Sequence, residues 1–191
     1  MNKGRYLLLA GLVIFLIACK EKTYMPKPRG YMRIDFPEKG YQTYNENCPF
    51  SFEYPVYGSI EKDNMDPNET CWFNIVFPEY GGKIHLTYKT VHNNLAVYLE
   101  DSRTLVYKHT IKADAINENL IGFKDKNVYG ILYDIKGNAA SSVQFFLTDS
   151  VQHFVRGSLY FNVEPNKDSL APVISFFRED IEHMINTFQW R

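Results

Sequence analysis

The side chains able to do covalent or acid–base chemistry are three cysteines, five histidines and a few serines, and their spacing sorts them. Cys19 ends an unbroken apolar run, directly after the small residue Ala18 and before Lys20-Glu21-Lys22. A thiol in that position emerges at a membrane surface, where it can be acylated before a peptidase cuts on its N-terminal side. Cys48 and Cys71 remain as an even pair, 23 residues apart. In an oxidising compartment such a pair is expected to form a disulfide. The competing reading is two separate thiols, one beside Trp72 in a core. Neither a CxxC pair nor a nearby histidine supports zinc, so no metal site and no cofactor is expected.

Catalytic templates fall short. The chain holds no GxSxG, GxxxxGK[ST], HExxH or GxGxxG, and hence no nucleophile elbow, phosphate cradle or zinc helix. Ser141-Ser142, and Ser150 near His153, lack the arrangement of a triad. His85, His92, His109, His153 and His183 form no i, i+4 pair. His85 shares a strand face with Lys83, Thr87 and Lys89. His183 borders the apolar stripe of a helix, and a solvated helix face accounts for its neighbours Asp180 and Glu182. The acidic stretch Asp63–Glu69 could hold calcium. It lacks the glycine and flanking helices of an EF-hand, and a polar loop describes it better. The expectation is a protein that is not an enzyme.

The first 19 residues read as an export signal. Lys3 and Arg5 precede the apolar run Leu7–Ile17, whose 11 residues are too few for a bilayer core that takes about 20 helical residues and suit a secretory signal. Leu16-Ile17-Ala18-Cys19 resembles the lipobox of bacterial lipoproteins; an ordinary signal peptide that happens to contain a cysteine is the alternative. Three segments follow: a lipoprotein signal peptide over 1–18, a lipidated Cys19 with an extended tether over 19–30, and a single domain over 31–191. Cleavage removes two basic residues and no acid, taking the net charge from −1 to −3. The membrane must then be held by acyl chains, at about 0.8 kcal/mol per buried methylene. Lys20, in place of an Asp that would retain the protein at the inner membrane, directs the expectation to the outer membrane, with the leaflet left open. Pro26, Pro28 and Gly30 give the tether polyproline character, with a reach of roughly 30 Å at about 3.1 Å per residue.

Composition narrows the class of the domain. Of 191 residues, 45% are apolar and 23% charged, a globular balance. The near-neutral charge argues against a nucleic-acid binder held by phosphate contacts. Alternating segments are expected as strands at Tyr31–Phe36, Phe50–Tyr54, Cys71–Phe77, Lys83–Lys89, 118–124, 128–136, 142–149 and 152–163. Gly81-Gly82, Gly137-Asn138 and Asp149-Ser150 supply turns. A helix capped by Asn93 or Asn94 follows and shows Leu95, Tyr98, Leu99, Ser102, Leu105, Val106 and His109 on one face. A longer C-terminal helix, capped by Asp168 or Ser169 with Pro172 in its first turn, carries a stripe from Leu170 to Phe188 and turns Arg178, Glu179, Glu182 and Asn186 away. This order predicts an α+β fold: an antiparallel β-sheet of roughly six to eight strands, with a central helix and a long C-terminal helix packed on it. In outline it is similar to PsbP-like modules, a likeness of fold that carries no function.

With 14 Tyr and 14 Phe, some rings are expected at the surface, where Tyr and Arg favour protein contact. Arg29, Tyr31, Arg33, Phe52, Tyr54 and Tyr57 form the expected partner-facing strip.

Several stretches together resemble the gliding-motility lipoprotein GldD family of Bacteroidetes. They are Pro26-Lys27-Pro28-Arg29-Gly30-Tyr31 with Arg33-Ile34-Asp35, Pro49–Pro55, Cys71–Ile75, Gly82–Tyr88, Gly157–Phe161, and Pro165-Asn166 with Asp168–Ile174. The resemblance spans nearly the whole chain. It implies a lipoprotein without enzymatic activity or catalytic residues, acting as a scaffold or accessory component of the gliding motility and type IX secretion machinery. Its implied partners are other gliding-motility lipoproteins and type IX secretion components. The alternative is a periplasmic small-ligand or carbohydrate-binding lipoprotein module, which needs a concave pocket lined by Trp72, Tyr88 and their neighbours.

Overall fold

A computed structural model describes residues 33–63, 69 and 71–191. The expected signal peptide, Cys19, the tether, Arg29 and Tyr31 lie outside the described residues, as does most of the acidic stretch Asp63–Glu69. Among the described residues, ten strands and two helices follow in the order β1 (Tyr41–Tyr44), β2 (Phe50–Pro55), β3 (Ser59–Lys62), β4 (Phe73–Phe77), β5 (Gly82–Thr90), α1 (Leu95–Tyr107), β6 (Ala113–Phe123), β7 (Val128–Gly137), β8 (Ser141–Thr148), β9 (His153–Phe161), α2 (Lys167–Thr187) and β10 (Gln189–Trp190).

Seven strands form one antiparallel sheet in the order β3-β4-β5-β9-β8-β7-β6, and β1-β2-β10 form a smaller one. Short connections explain the order: β6 to β9 run as a meander, and β4 and β5 pair as the expected hairpin, with Phe77 opposite Gly82. The hairpin turns through a single 3-10 turn at Pro78–Tyr80 and closes at Gly81, whose φ of 56° an L side chain resists. The expected strand at Tyr31–Phe36 is not found over its described part. Residues 33–40 run without regular structure, because the Phe36 ring stacks on Phe176 at 4.3 Å instead of joining a pleated face.

Every residue of β8 is buried, so the sheet is covered on both faces. Val143, Phe145 and Leu147 join the larger core with α2 and the small sheet. Phe146, on the other face, packs with Tyr133, Ile135, Phe154 and Val106 of α1. Gly157 permits this packing, because a Cβ there would sit 2.2 Å from the Phe145 ring that lies over it. Cys48 and Cys71 are joined by a disulfide with Cα atoms 5.7 Å apart.

Helix boundaries differ from expectation for local reasons. Asn166 caps α2, its side chain accepting from the N–H groups of Asp168 and Ser169 at 3.2 Å each. The cap therefore lies before Asp168, and Pro172 falls in the second turn rather than the first. Arg178, expected to face away, reaches back to β7 and forms a forked pair with Asp134 at 2.6 and 3.0 Å. At α1 the Asn94 side chain accepts from His92 N–H at 2.8 Å and does not cap the helix. Leu105, placed on the inner face by its spacing, is exposed.

Candidate functional site

Helix α2 buries Val173, Phe177, Ile181, Met184 and Ile185 at helical spacing, and Asp180 falls inside the same stripe. Its carboxylate is 1% exposed. A bare anion there would be prohibitively costly. Three donors compensate it: Lys39 Nζ at 2.7 Å and Tyr41 OH at 3.0 Å give to Oδ1, and Tyr57 OH at 2.6 Å gives to Oδ2. The ammonium also donates to the Phe176 carbonyl at 2.7 Å and lies 3.4 Å from the centre of the Phe176 ring.

Neighbouring contacts extend this node into a clamp. Phe36 stacks on Phe176, and Tyr41 stacks on His183 at 3.6 Å. His183 Nε2 lies 2.6 Å from Glu53 Oε2. Glu53 N–H donates to Thr187 Oγ1 at 3.0 Å, and that hydroxyl donates to the His183 carbonyl at 2.9 Å. The chain leaving the N-terminal segment is thus fixed to α2 from residue 36 to β1 and β2.

The electrostatics suit holding rather than turnover. Burial first, and then the Asp180 charge, push the Tyr41 phenol up to about 12. Burial and the hydrogen bond to Asp180 push the Tyr57 phenol further up. Both phenols stay protonated at any physiological pH and act as fixed donors. Neither is available as a base, and both oxygens of Asp180 already accept hydrogen bonds.

The remaining expected residues scatter. Arg33 is exposed and pairs with Asp35 at 2.8 Å. Phe52 is 2% exposed in the main core, stacked with Tyr44 at 5.0 Å. It supports the fold and leaves no face to a partner, because the period of β2 points it inward with Phe50. Tyr54 is half-buried at the core's edge, and Tyr57 is committed to Asp180. Asp180 itself corrects the expectation of a solvated helix face. Its signal was present in the sequence, since Asp180 stands three residues after Phe177 and four before Met184. Lys39 carried no such signal, because its partner lies 141 residues away.

Trp72 and Tyr88 are occupied by the protein itself. Trp72 Nε1 donates to the Tyr88 carbonyl at 2.8 Å, and the Lys89 ammonium covers the Trp72 ring at 4.3 Å. Tyr88 OH meets His153 Nδ1 at 2.8 Å. They form no open aromatic platform. Among the described residues, no three His, Cys, Asp or Glu side chains are grouped to hold a metal ion, and no helix is long and apolar enough to cross a membrane.

Comparison with solved structures supports the fold. The chain is similar to the solution structure of cyanobacterial PsbP (CyanoP) from Synechocystis sp. PCC 6803, with a TM-score of 0.51 and 12% identity over 85% of this chain and 97% of that one. At that identity the likeness is one of fold alone. No curated protein matches the chain. Residues 21–190, which include the clamp and the described strands and helices, match the gliding motility lipoprotein GldD, and the chain belongs to that family.

Proposed function

We propose that the protein is a lipid-moored scaffold of the gliding motility and type IX secretion machinery, held at the outer membrane by acyl chains on Cys19. Residues 1–18 serve as the signal peptide, 19–30 as the tether and 31–191 as the working domain. Family membership supports the envelope location and the link to motility. The observation that carries the mechanical part is the clamp: the chain arriving from the N-terminal side is bonded to α2 through Lys39, Tyr41 and Tyr57 on one buried carboxylate. These bonds fix the domain's own N-terminal stretch, residues 36–57, to α2. Tethering also raises the effective concentration of partners at the membrane, so each contact can be weak. Arg29, Tyr31, Arg33 and Tyr54 are the proposed contact residues, and other gliding-motility lipoproteins and type IX secretion components the proposed partners.

Cys19→Ala tests the reading. The variant is expected to leave the membrane fraction and to abolish gliding while the domain stays folded. Normal gliding by cells carrying only the unanchored form would overturn the proposal. Co-purification from crosslinked envelopes identifies the partners, and Arg29→Ala with Tyr31→Ala should weaken that recovery.

A further inference from the structure

The face of the large sheet opposite α2 carries an unexplained polar row. Asn74 on β4 is opposite His85 on β5, His85 is opposite Ser158 on β9, and Ser158 is opposite Gln144 on β8. Four adjacent strands thus place a polar residue at the same level of one face. Gln144 and Ser158 are each 1% exposed and Asn74 is 8% exposed. Gln144 Nε2, Ser158 Oγ and Asn74 Oδ1 nevertheless have no hydrogen-bond partner. Orphaned buried polar atoms are costly, at about 1–3 kcal/mol each, and the two that can donate, Gln144 Nε2 and Ser158 Oγ on paired residues of β8 and β9, call for a cause.

Arg156 supplies it. One step along β9 from Ser158, its Nη2 donates to Gln144 Oε1 at 2.6 Å. That bond settles the orientation of the amide and leaves Nε2 as the free donor. The guanidinium is mostly buried, and burial lowers its pKa from the usual value, partly offset by the Tyr160 hydroxyl. Among the described residues no carboxylate pairs with it. The pKa values of His85 and His109 are held down first by burial and then by nearby cations, with the Asp63 carboxylate working the other way at His85, and neither imidazole brings a negative charge. A cation in this setting with a free amide N–H and a free hydroxyl beside it is a donor set lacking its acceptor. His85, at one edge of the row, also lines a cleft of about 560 Å³ with Lys83, Tyr160 and Asn162.

We propose that this face binds a soluble oxyanion, a carboxylate or phosphate group, received by Arg156, Gln144 Nε2 and Ser158 Oγ. The planar guanidinium fork matches either group in two-point contact. The site is separate from the clamp, so its failure would leave the mooring proposal untouched.

The test is a titration of the mature lipoprotein in detergent, followed by amide and side-chain NMR shifts. Inorganic phosphate and succinate are added in separate arms, each against sodium chloride at equal ionic strength. Saturable movement of the Gln144 side-chain amide and of β8–β9 backbone signals is expected, and whichever arm binds tighter identifies the group. Arg156→Gln should weaken binding about tenfold or more, a loss of about 1.4 kcal/mol, and Arg156→Lys should recover part of it. If Arg156→Gln does not fold, Ser158→Ala serves in its place, and the wild-type shift map decides. The proposal is overturned if neither anion gives a saturable change, if Arg156→Gln binds as well as the parent, or if the shifts are confined to exposed lysines. It is likewise overturned if ordered waters bridge the three orphan atoms in phosphate-saturated crystals.

Discussion

Asp180→Ala is the most informative perturbation of the clamp. It strands the hydroxyls of Tyr41 and Tyr57, 3.0 and 2.6 Å from the carboxylate oxygens, and takes from the Lys39 ammonium its nearest anion at 2.7 Å, leaving it the Phe176 carbonyl and Glu179 at 3.8 Å. Removing one partner of a buried ion pair costs about 3–5 kcal/mol. The Lys39 side chain is 27% exposed, so water recovers part of its charge and the lower end applies, about 3 kcal/mol. At about 2–4 °C per kcal/mol for a chain of this size, Tm should fall by about 6–12 °C. Urea unfolding of the purified protein measures the same loss from the midpoint at unchanged slope. Tyr57→Phe removes one charge-assisted bond and should cost about 1–3 kcal/mol. Lys39→Met combined with Asp180→Ala should destabilise by clearly less than the two single changes added together, because the second change no longer strands a charge. Limited proteolysis separates the clamp from the fold. Residues 33–40 should become cleavable in Asp180→Ala under conditions where β4 to β9 stay protected. A loss under about 0.5 kcal/mol, with the segment still protected, would refute the reasoning.

Two other perturbations probe separate supports. Replacing Cys48 and Cys71 by alanine opens a 23-residue loop and should cost about 3 kcal/mol by loop entropy, read as a lower urea midpoint that a reductant does not lower further. Asp149 Oδ1 accepts from the N–H groups of Val151, Gln152 and His153 at 2.9, 2.8 and 2.8 Å. Burial works to raise its pKa, but these bonds outweigh it and hold the carboxyl below its ordinary 3.8. Its folded pKa is depressed, so its contribution is complete above about pH 4 and disappears as pH falls through the lower folded value. Asp149→Asn should therefore flatten the acid limb of the stability curve, and an unchanged limb would contradict the assignment.

The strands and helices that the sequence made legible are those whose period is set by a core they face. β2, β5, β7, β8 and β9 alternate because one or both faces are covered, and α2 shows its stripe for the same reason. The elements it hid have no such imprint. β1, β3 and β10 are two to four residues long and are strands only because a partner pairs with them. Residues 33–36 alternate like a strand, yet the Phe36 ring finds a better place on Phe176. β6 is mostly exposed along its 11 residues, and its pattern therefore fixed only the C-terminal half of its length. The clamp was half legible: Asp180 stands out on a helical wheel, whereas the lysine and tyrosines that neutralise it are brought near only by the finished fold.

The polar row was hidden for a different reason. Polar residues alternating with apolar ones on a strand normally mark a solvated face, and the spacing of His85 with Lys83, Thr87 and Lys89 has that pattern. Burial of Gln144 and Ser158 to 1% exposure removes water as their partner. A core that needed only packing would carry Val or Leu at both positions, as it does one residue away at Val143 and Leu159. Keeping an amide and a hydroxyl there forfeits apolar burial and leaves both underbonded, while Arg156 adds a charge that no carboxylate among the described residues pairs with. Stability accounts for the opposite face, where α2 and the clamp satisfy every charge they bury. On this face the same residues reduce stability unless something with acceptor oxygens completes them.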